Sequence, residues 1–304
     1  MRIVMAGASG FLGTHLTEKL GAAGHDIVRL VRREPRAKAE IRWRPDRGEL
    51  DPGALAGADA VINLAGAGIA DHRWTNGYKR KMVSSRVNAT RTLATTIAGI
   101  GREERPAVLV NASGVGYYGD TGDAAVDEDS PPGQGYSPEQ CVMWEAATDP
   151  ASGAGVRVVL LRTGFVLDAA GGLLSRLLLP FRLGLGGRMG SGEQWLPWIS
   201  LGDWGDAARF LLDRDEIGGP VNIVGPAPIR NKDFVRAIAN ALHRPAVIPL
   251  PGPALRLVAG EVVSEVLSSR RVLPGILTRA GFAYRQPDLD AALRATLHPV
   301  RARG

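Results

Sequence analysis

The sequence of 304 residues contains little cysteine and little histidine. Its one cysteine, Cys141, excludes an intrachain disulfide framework and gives no zinc-site spacing. The five histidines are far apart and form no recognisable ligand motif, so no metal site is predicted. No apolar run reaches the length of a membrane span, and nothing resembles a signal peptide. A cytoplasmic chain without membrane contacts is therefore expected.

Lysine is also scarce, although the charge balance is basic. The chain has 37 Lys and Arg against 31 Asp and Glu, a net charge of +6, yet only five of the cations are lysines. The arginines are scattered along the whole chain and no aromatic–basic motif accompanies them, so no nucleic-acid partner is expected. A phosphorylated cofactor explains part of the excess more economically.

Glycine, in contrast, is placed where it carries information. An apolar segment ends at Ala6 and is followed at once by Gly7, Gly10 and Gly13. Strand, glycine turn and helix in this order are typical of dinucleotide binding, because the turn brings the pyrophosphate to a helix N-terminus. The predicted cofactor contacts at the turn are Gly7, Ser9, Gly10, Phe11, Leu12 and Gly13. The alternative is a glycine-rich turn without a ligand.

The end of the second predicted strand indicates which dinucleotide is bound. NAD-binding proteins usually place an acidic residue there, on the ribose hydroxyls. Here the strand ends in Arg32 and Arg33, and paired guanidinium groups suit a 2′-phosphate. We therefore predict NADP(H) as the cofactor; the alternative is a solvated basic loop, since Arg36 and Lys38 continue the run.

Strand-like and helix-like segments alternate along the chain, which predicts an α/β fold with a doubly wound parallel sheet of the Rossmann type. Strands are predicted at 3–6, 26–31, 60–64, 107–111, 157–161 and 221–224. Helices are predicted at 11–23, 79–100, 139–151, 203–212, 231–242, 253–267 and 288–297.

After about Thr163 the sequence changes character, with many glycines and with tryptophans at 195 and 198. This stretch predicts a loop region shaped around a ligand, with a surface excursion as the equal alternative. We predict a cofactor domain of residues 1–165 plus about 200–225. Residues 166–199 and 226–304 are predicted to form a smaller, mostly helical substrate-binding cap.

Several segments together resemble a known family. Ala6–Gly13, Ala60–Gly66, Asn88–Leu93 and Asn111–Gly119 are similar to motifs of extended short-chain dehydrogenases/reductases, in the NAD(P)-dependent epimerase/dehydratase superfamily. More narrowly, Arg73-Trp74, Ser85-Arg86, Trp144-Glu145, Arg162–Leu167, Gly186–Ile199 and Pro226–Pro251 resemble the atypical subgroup of epimerase family proteins, which carry a C-terminal domain of unknown function. The resemblance covers nearly the whole chain.

The resemblance extends the expected cofactor contacts along the chain, to Leu64, Ala65, Gly66, Arg86, Ala112, Gly164, Phe165 and Val166. Arg86 follows the strand at 60–64, where it is expected to reach a phosphate of the cofactor or of the substrate. The expected substrate pocket includes Gly116, Cys141, Gln194 and Trp198. A homodimer is also expected from the resemblance.

The chain departs from the family at its proton-transfer pair. Typical members use a tyrosine four residues before a lysine, whose charge lowers the pKa of the phenol. The aligned helix has Cys141 and Glu145 at these places, and no lysine lies between residues 82 and 231. The standard proton relay is therefore absent.

Three side chains are candidates for the missing chemistry: Ser113, Tyr117 and Tyr118. Ser113 matches the serine that holds the substrate oxygen, and either tyrosine has aromatic packing as an equal alternative. Glu145 is a general base if burial raises its pKa, and otherwise an ion-pair partner of an arginine. For Cys141, a half-buried thiol is favoured over a nucleophile, because no histidine is near it in the sequence.

These features predict an NADP(H)-dependent oxidoreductase or epimerase-like enzyme that acts on a small hydroxyl or carbonyl compound. The alternative is a non-catalytic NADP(H)-binding sensor, which the missing tyrosine and lysine favour. The glycine- and tryptophan-containing stretch favours the enzyme, because a sensor needs no second pocket.

Overall fold

The computed structural model describes residues 1–297, which divide into two compact units. Unit 1 comprises Met1–Tyr117, Tyr136–Arg162 and Gly205–Val221. Unit 2 comprises Tyr118–Gly135, Thr163–Trp204 and the described residues from Asn222 onward. The division predicted from sequence assigns 118–135 to the first domain, whereas the structure groups this segment with unit 2. The last residues of the predicted cap, 298–304, lie outside the described residues.

A seven-stranded sheet forms the centre of the fold, in the order β11-β7-β5-β4-β1-β2-β3. The pairs β1–β2, β1–β4, β2–β3 and β4–β5 are parallel. The sheet strands are β1 (Arg2–Ala6), β2 (Asp26–Val31), β3 (Glu40–Arg42), β4 (Ala60–Asn63), β5 (Val108–Gly114), β7 (Arg157–Thr163) and β11 (Gly219–Ile223). The predicted α/β Rossmann-type fold is confirmed, and β3 is a strand that the sequence prediction missed.

The strand order has a reversal next to β1. From β1 the chain moves outward through β2 and β3, then returns to the other side of β1 to form β4, β5 and β7. Ligands of doubly wound sheets bind at the carboxyl ends of the strands on either side of such a reversal. The ends of β1, β4 and β5 are therefore the place to look for a site.

The helices are α1 (Phe11–Ala22), α2 (Asn76–Gly99), α3 (Tyr136–Ala146), α4 (Asp149–Gly153), α5 (Gly172–Arg182), α6 (Leu201–Leu212), α7 (Asn231–Leu242), α8 (Gly252–Ala259), α9 (Val263–Leu267), α10 (Gly275–Arg279) and α11 (Leu289–Leu297). Short 3₁₀ turns lie at Pro52–Ala54, Val115–Tyr118 and Gly260–Val262. In unit 1, apolar side chains of α2, among them Leu93 and Ile97, pack against Val4 and Leu109 of the sheet. This packing covers one face of the strands, as expected for buried parallel strands.

Two of the helix predictions were wrong in part. The helix predicted at 139–151 is divided into α3 and α4, with Pro150 in the first turn of the second helix, where proline is tolerated. The helix predicted at 253–267 is divided by the 3₁₀ turn at Gly260–Val262 into α8 and α9. Gly260 there has a φ of 75°, a conformation that interrupts an α-helix.

Unit 2 contains strands as well as helices. Its two-stranded sheets pair β8 (Phe165–Leu167) with β10 (Trp198–Ser200), β9 (Trp195–Leu196) with β12 (Ile229–Arg230), and β6 (Ala125–Val126) with β13 (Arg271–Val272). The last pair explains why 118–135 belongs to this unit. The same segment is tied again where the main-chain N–H of Thr121 donates to Ser269 over 2.7 Å.

The segment after Gly171, predicted as a glycine-rich loop, begins with the helix α5. Leu174, Leu178 and Phe181 form a buried face of this helix, and they pack with Phe234 and Ile238 of α7. The apolar face stabilises the helix despite Pro180 within it. The loop prediction was therefore wrong for residues 172–182.

Candidate functional site

The glycine turn after β1 adopts a conformation that larger residues do not fit. Gly7 has a φ of 80°, and a Cβ atom there would lie 2.5 Å from the carbonyl carbon of Leu64. A Cβ atom at Gly13 would lie 2.1 Å from the main-chain oxygen of Gly7. Gly7 thus allows the tight turn and Gly13 allows α1 to pack against it, as the sequence pattern predicts.

The N-terminus of α1 suits an anion. Gly10 caps this helix without a side-chain hydrogen bond, and the first turn contains no acidic residue. Ser9 and Gly10 are exposed, while Phe11 and Leu12 are half-buried. Main-chain N–H groups at a helix start carry a partial positive charge, so this turn fits the pyrophosphate of a dinucleotide.

Arg32 and Arg33 differ in what they contact. The Arg33 guanidinium donates to both carboxylate oxygens of Glu40, over 2.6 and 2.8 Å. Hydrogen bonds from Arg33 and from the main chain of Arg36 lower the pKa of Glu40 to about 2. Arg32 is exposed. A 2′-phosphate would therefore meet one available guanidinium and one that is already paired with a carboxylate.

A buried polar network fixes the ends of β4 and β5. The amide of Asn63 donates to Thr90 over 2.9 Å and to Asn111 over 2.7 Å, and the Thr90 hydroxyl also donates to Asn111. The indole of Trp144 donates to the same Thr90 oxygen over 3.0 Å. The network joins β4, β5, α2 and α3, and sequence reasoning did not single out its three polar members.

Asn63 also holds the segment after β4. Its side-chain oxygen accepts a hydrogen bond from the main-chain N–H of Ala65 over 3.1 Å. The N–H of Leu64 donates to Ala6 at the end of β1, and Gly66 follows as an exposed residue. These three residues thus lie directly beside the glycine turn, whereas their contact with a cofactor stays a prediction.

Ser113 is part of a charged cluster at the end of β5. Its hydroxyl donates to Oε1 of Glu145 over 2.6 Å. The Arg162 guanidinium donates two hydrogen bonds to the same carboxylate, from Nε to Oε1 over 2.9 Å and from Nη2 to Oε2 over 2.8 Å. The Arg162 side chain is 4% exposed and that of Glu145 is 11% exposed. The ion-pair role that the sequence offered for Glu145 is observed, while its role as a general base stays a prediction.

The two candidate tyrosines have separate environments. The Arg162 guanidinium lies over the ring of Tyr117, 3.4 Å from its centroid, so this half-buried phenol adjoins the charged cluster. Tyr118, in unit 2, is 3% exposed and its hydroxyl donates to the side-chain oxygen of Asn222 over 2.8 Å. Burial and this bond favour a structural role for Tyr118.

Cys141 stands four residues before Glu145 on α3, where the family has tyrosine. The thiol is buried, and its Sγ lies 3.6 Å from the main-chain oxygen of Gly114. The thiol is thus adjacent to the residue after Ser113, and the predicted pocket residue Gly116 follows in the 3₁₀ turn at Val115–Tyr118. Arg86 of α2 is 6% exposed, and its Nη1 donates to the main-chain oxygen of Met82.

Two predicted pocket residues of unit 2 lie in its interior. The Gln194 amide donates to the main-chain oxygens of Met189 and Val266. The Trp198 side chain is 2% exposed, and its indole N–H donates to the main-chain oxygen of Ala227 over 3.0 Å. These contacts brace the unit, and a role of either side chain in binding a substrate stays a prediction.

The other unit 2 residues that were predicted to contact the cofactor lie next to strand β10. The N–H of Phe165 donates to the main-chain oxygen of Pro197 over 2.7 Å. Val166 of β8 pairs with Ile199 of β10. A Cβ atom at Gly164 would lie 2.4 Å from that same oxygen of Pro197. Glycine is therefore required at 164 by the packing of unit 2 itself.

Within residues 1–297, no group of three or more His, Cys, Asp or Glu side chains is arranged to hold a metal ion. In the same residues, no helix combines the length and the apolar character that crossing a bilayer requires.

Ala112, the remaining predicted cofactor residue, is half-buried in β5 next to Ser113.

Comparisons with known proteins agree with this architecture. Residues 3–224 match the model of the NAD dependent epimerase/dehydratase family. Residues 250–296 match a domain of unknown function, DUF1731, as the resemblance predicts. An epimerase family protein of Mycobacterium bovis is 44% identical over 299 residues, covering 98% of each chain. The mouse epimerase family protein SDR39U1 is 38% identical, covering 97% of this chain and 99% of its own.

Solved structures show the same relationship. The crystal structure of human epimerase family protein SDR39U1 (isoform 2) with NADPH matches with a TM-score of 0.89 and 34% identity, covering 99% of this chain and 100% of that chain. A nucleoside-diphosphate sugar epimerase from Corynebacterium glutamicum matches with a TM-score of 0.82 and 32% identity, covering 98% of this chain and 58% of that chain.

Proposed function

Because the chain belongs to the NAD dependent epimerase/dehydratase family and carries a C-terminal DUF1731 domain, we propose that it is an NADP(H)-dependent oxidoreductase of small hydroxyl or carbonyl compounds. The observation that carries the proposal is the Ser113 hydroxyl, which donates to a carboxylate held by Arg162. The carboxylate of this cluster, that of Glu145, stands where the family has its lysine. The cluster supplies a polarised hydroxyl at the end of β5 by a different set of residues.

The cofactor half of the proposal rests on main-chain geometry. The turn at Gly7 and Gly13 and the uncapped start of α1 suit a pyrophosphate, and Arg32 and Arg33 suit a 2′-phosphate. The related human protein has been solved with NADPH, which supports the phosphorylated form. When bound, the nicotinamide ring supplies or accepts a hydride at the substrate carbon.

The proposed proton transfer depends on the direction of the Ser113 hydrogen bond. Since the hydroxyl hydrogen is donated to Glu145, the Ser113 oxygen has lone pairs that accept a hydrogen bond from a substrate hydroxyl. When an alcohol is oxidised, its proton passes to Oγ of Ser113 as the proton of Ser113 passes to Oε1 of Glu145. Reduction of a carbonyl runs the two transfers in reverse.

Arg162 acts through Glu145 in this scheme. Its two hydrogen bonds fix both carboxylate oxygens, so Oε1 stays within 2.6 Å of the serine oxygen. A bidentate guanidinium pair gives geometric specificity that a single contact does not. Arg162 is therefore a positioning residue, and Ser113 is the residue proposed to touch the substrate.

Deuterium transfer tests the proposal directly. The purified protein is incubated with NADPH deuterated on one face of the nicotinamide and with a panel of aldehydes and ketones, and the alcohol products are analysed by mass spectrometry. We expect deuterium from one face only. Loss of Ser113 in Ser113→Ala should reduce the rate by about 10²-fold or more, the usual scale of positioned proton transfer.

Ser84→Ala is the matched control, because Ser84 is an exposed serine of α2 whose hydroxyl only donates to its own helix. It should retain the full rate. Full activity of Ser113→Ala would remove Ser113 from the mechanism. Tight binding of NADPH without transfer to any carbonyl would contradict the enzyme and leave a cofactor-binding protein.

A further inference from the structure

The helix α5 of unit 2 is apolar on two opposite sides. Its inner side packs in the core through Leu174, Leu178 and Phe181. The outer side carries Leu179 and, one turn later at the end of the helix, Leu183; these two residues are 66% and 65% exposed. A surface helix ordinarily presents polar side chains to water, so an outer side with two leucines is unusual.

A second segment of unit 2 adds apolar residues beside the end of α5. The main-chain N–H of Ile248 donates to the main-chain oxygen of Gly186 over 3.3 Å. Leu185 and Val247, which directly precede this bonded pair, are 53% and 80% exposed, and Ile248 is 39% exposed. Two adjacent stretches of chain thus carry one group of exposed apolar residues, which we call the apolar patch: Leu179, Leu183, Leu185, Val247 and Ile248.

The stretches that carry the apolar patch are basic. Residues 169–192 contain three arginines and no Asp or Glu, and the same is true of residues 234–260. Arg182 and Arg244 lie together, since the main-chain oxygen of Arg182 accepts a hydrogen bond from Nε of Arg244 over 3.2 Å. Both are exposed, as is Arg176, which shares the outer side of α5 with the two leucines. Positive charge therefore accompanies the apolar patch along both stretches.

An anionic bilayer surface fits this combination of residues. Apolar side chains leave water for the boundary between head groups and acyl chains, while guanidinium groups stay at the lipid phosphates. The apolar patch consists of leucine, valine and isoleucine, whereas the anchors of protein interfaces are usually tryptophan, tyrosine and arginine. A second copy of the chain fits less well, because two facing patches would place arginines against arginines.

We propose that unit 2 binds the surface of an anionic membrane through the apolar patch, with Arg176, Arg182 and Arg244 at the lipid phosphates. Such a contact lies on the bilayer and needs no spanning helix. The expectation of a chain without membrane contacts rests on the lack of a spanning segment, whereas the patch is assembled from two segments that are far apart in the sequence. The proposal goes beyond the oxidoreductase and does not depend on it.

Vesicle binding by the full-length protein tests the proposal. Co-sedimentation is measured with vesicles of phosphatidylcholine alone and with vesicles of equal parts phosphatidylcholine and phosphatidylglycerol, which is anionic. The variant Leu179→Gln/Leu183→Gln removes apolar contact area and keeps good helix formers on α5. The variant Arg176→Gln/Arg182→Gln removes two positive charges from the same helix.

Unit 1 provides the matched controls. Arg80→Gln/Arg91→Gln changes the net charge by the same amount at exposed positions of α2. Val142→Gln/Met143→Gln replaces two exposed apolar residues of α3. All four variants alter exposed side chains, so the midpoint of thermal unfolding should stay near that of wild type in each.

We expect wild type to bind the anionic vesicles, to bind phosphatidylcholine vesicles much more weakly, and to lose affinity as salt is added. The leucine variant should bind the anionic vesicles about tenfold more weakly or worse, because less apolar surface enters the bilayer. The arginine variant of α5 should lose about 25-fold, at roughly fivefold for each charge near an anionic surface. Both control variants should bind within about twofold of wild type, since charges far from the membrane are screened.

Three results would overturn the proposal. Failure of wild type to bind the anionic vesicles would exclude the membrane contact. Equal weakening by the two arginine variants, or full binding by the leucine variant, would show that the net charge of the chain attracts it and that the apolar patch does not. Self-association of wild type in sedimentation velocity, lost in the leucine variant and unaccompanied by vesicle binding, would assign the patch to a second copy of the chain.

Discussion

The glycine turn after β1 and the charged cluster after β5 lie on one sheet, yet different kinds of contact define them. In the turn, the critical distances are to main-chain atoms: those of Gly7 for a Cβ atom at Gly13, and those of Leu64 for a Cβ atom at Gly7. In the cluster, the critical bonds join side chains 32 and 17 residues apart, from Ser113 to Glu145 and from Glu145 to Arg162.

This difference determines what each region tolerates. The turn is intolerant of volume, because any Cβ atom at its tight positions overlaps the main chain. The cluster is intolerant of charge imbalance, because its carboxylate and guanidinium are both largely buried. Two substitutions test this contrast, and a third tests an exposed ion pair outside both regions; they follow from the largest expected effect to the smallest.

Removing one charge of the cluster should have the largest effect on stability. Arg162→Leu leaves Glu145 buried without its guanidinium, and breaking a buried pair in this way costs about 3–5 kcal/mol. The free energy of unfolding, measured in urea, should fall by this amount. The double variant Arg162→Leu/Glu145→Leu should recover much of the loss, since neither charge remains.

The exposed pair of Arg214 and Glu216 provides the control for that measurement. Its side chains are 47% and 68% exposed, so Arg214→Ala should change the unfolding free energy by less than about 0.5 kcal/mol. An equally small change in Arg162→Leu would mean that charge balance does not limit the cluster.

Adding volume to the turn should have the next largest effect. A Cβ atom in Gly13→Ala would lie 2.1 Å from the oxygen of Gly7, and overpacking of this kind costs about 1–3 kcal/mol. NADPH affinity, measured by calorimetry, should fall as well. Gly21→Ala is the matched variant on the same helix, where nothing lies within 4 Å of the new atom. It should raise stability by about 0.5 kcal/mol, and similar results for the two variants would refute the volume limit.

The smallest effect is expected at the surface, where Arg33 pairs with Glu40. In Arg33→Ala the carboxylate loses its main partner, so the pKa of Glu40 should rise from about 2 towards its ordinary value of 4.5. NMR titration of the carboxyl carbon measures this change. Because the folded pKa is the lower one, wild type loses the contribution of the pair as pH falls from 4.5 towards 2, and the variant has none to lose.

Cofactor selectivity gives the same variant a second readout. Arg33→Ala should bind NADPH about tenfold more weakly and NADH unchanged, as expected for a lost charge-assisted hydrogen bond. Arg36→Ala, an exposed arginine of the same loop, should bind NADPH as wild type does. Equal loss in both variants would favour the solvated basic loop over a specific phosphate contact.

The contrast also explains what could be predicted from sequence. The turn follows from Gly7, Gly10 and Gly13, because the spacing of a few residues dictates its main-chain path. The partner of Glu145 could not be predicted, because Arg162 becomes its neighbour only when β7 takes its place beside β5 in the sheet. Sequence left the two roles of Glu145 open for that reason.

The same limit applies to α5 and to Asp203. Glycines on both sides of 172–182 hide the helical pattern of α5 in the sequence. Its apolar face is stabilised by Phe234, which belongs to a distant segment. Asp203 was predicted to open a helix, but α6 begins at Leu201. The buried carboxylate of Asp203 accepts hydrogen bonds from the main-chain N–H groups of Arg285 and Gln286. No local sequence pattern predicts this contact, because the partners are about 80 residues away along the chain.

The bidentate pair of Arg162 and Glu145 has an evolutionary consequence. A chain with tyrosine at 141 and lysine at 145, the family's arrangement, would place an ammonium against the buried guanidinium of Arg162. Positions 145 and 162 are thus coupled, because an exchange of this pair for a lysine at 145 passes through an intermediate that carries either two unbalanced cations or an orphaned carboxylate.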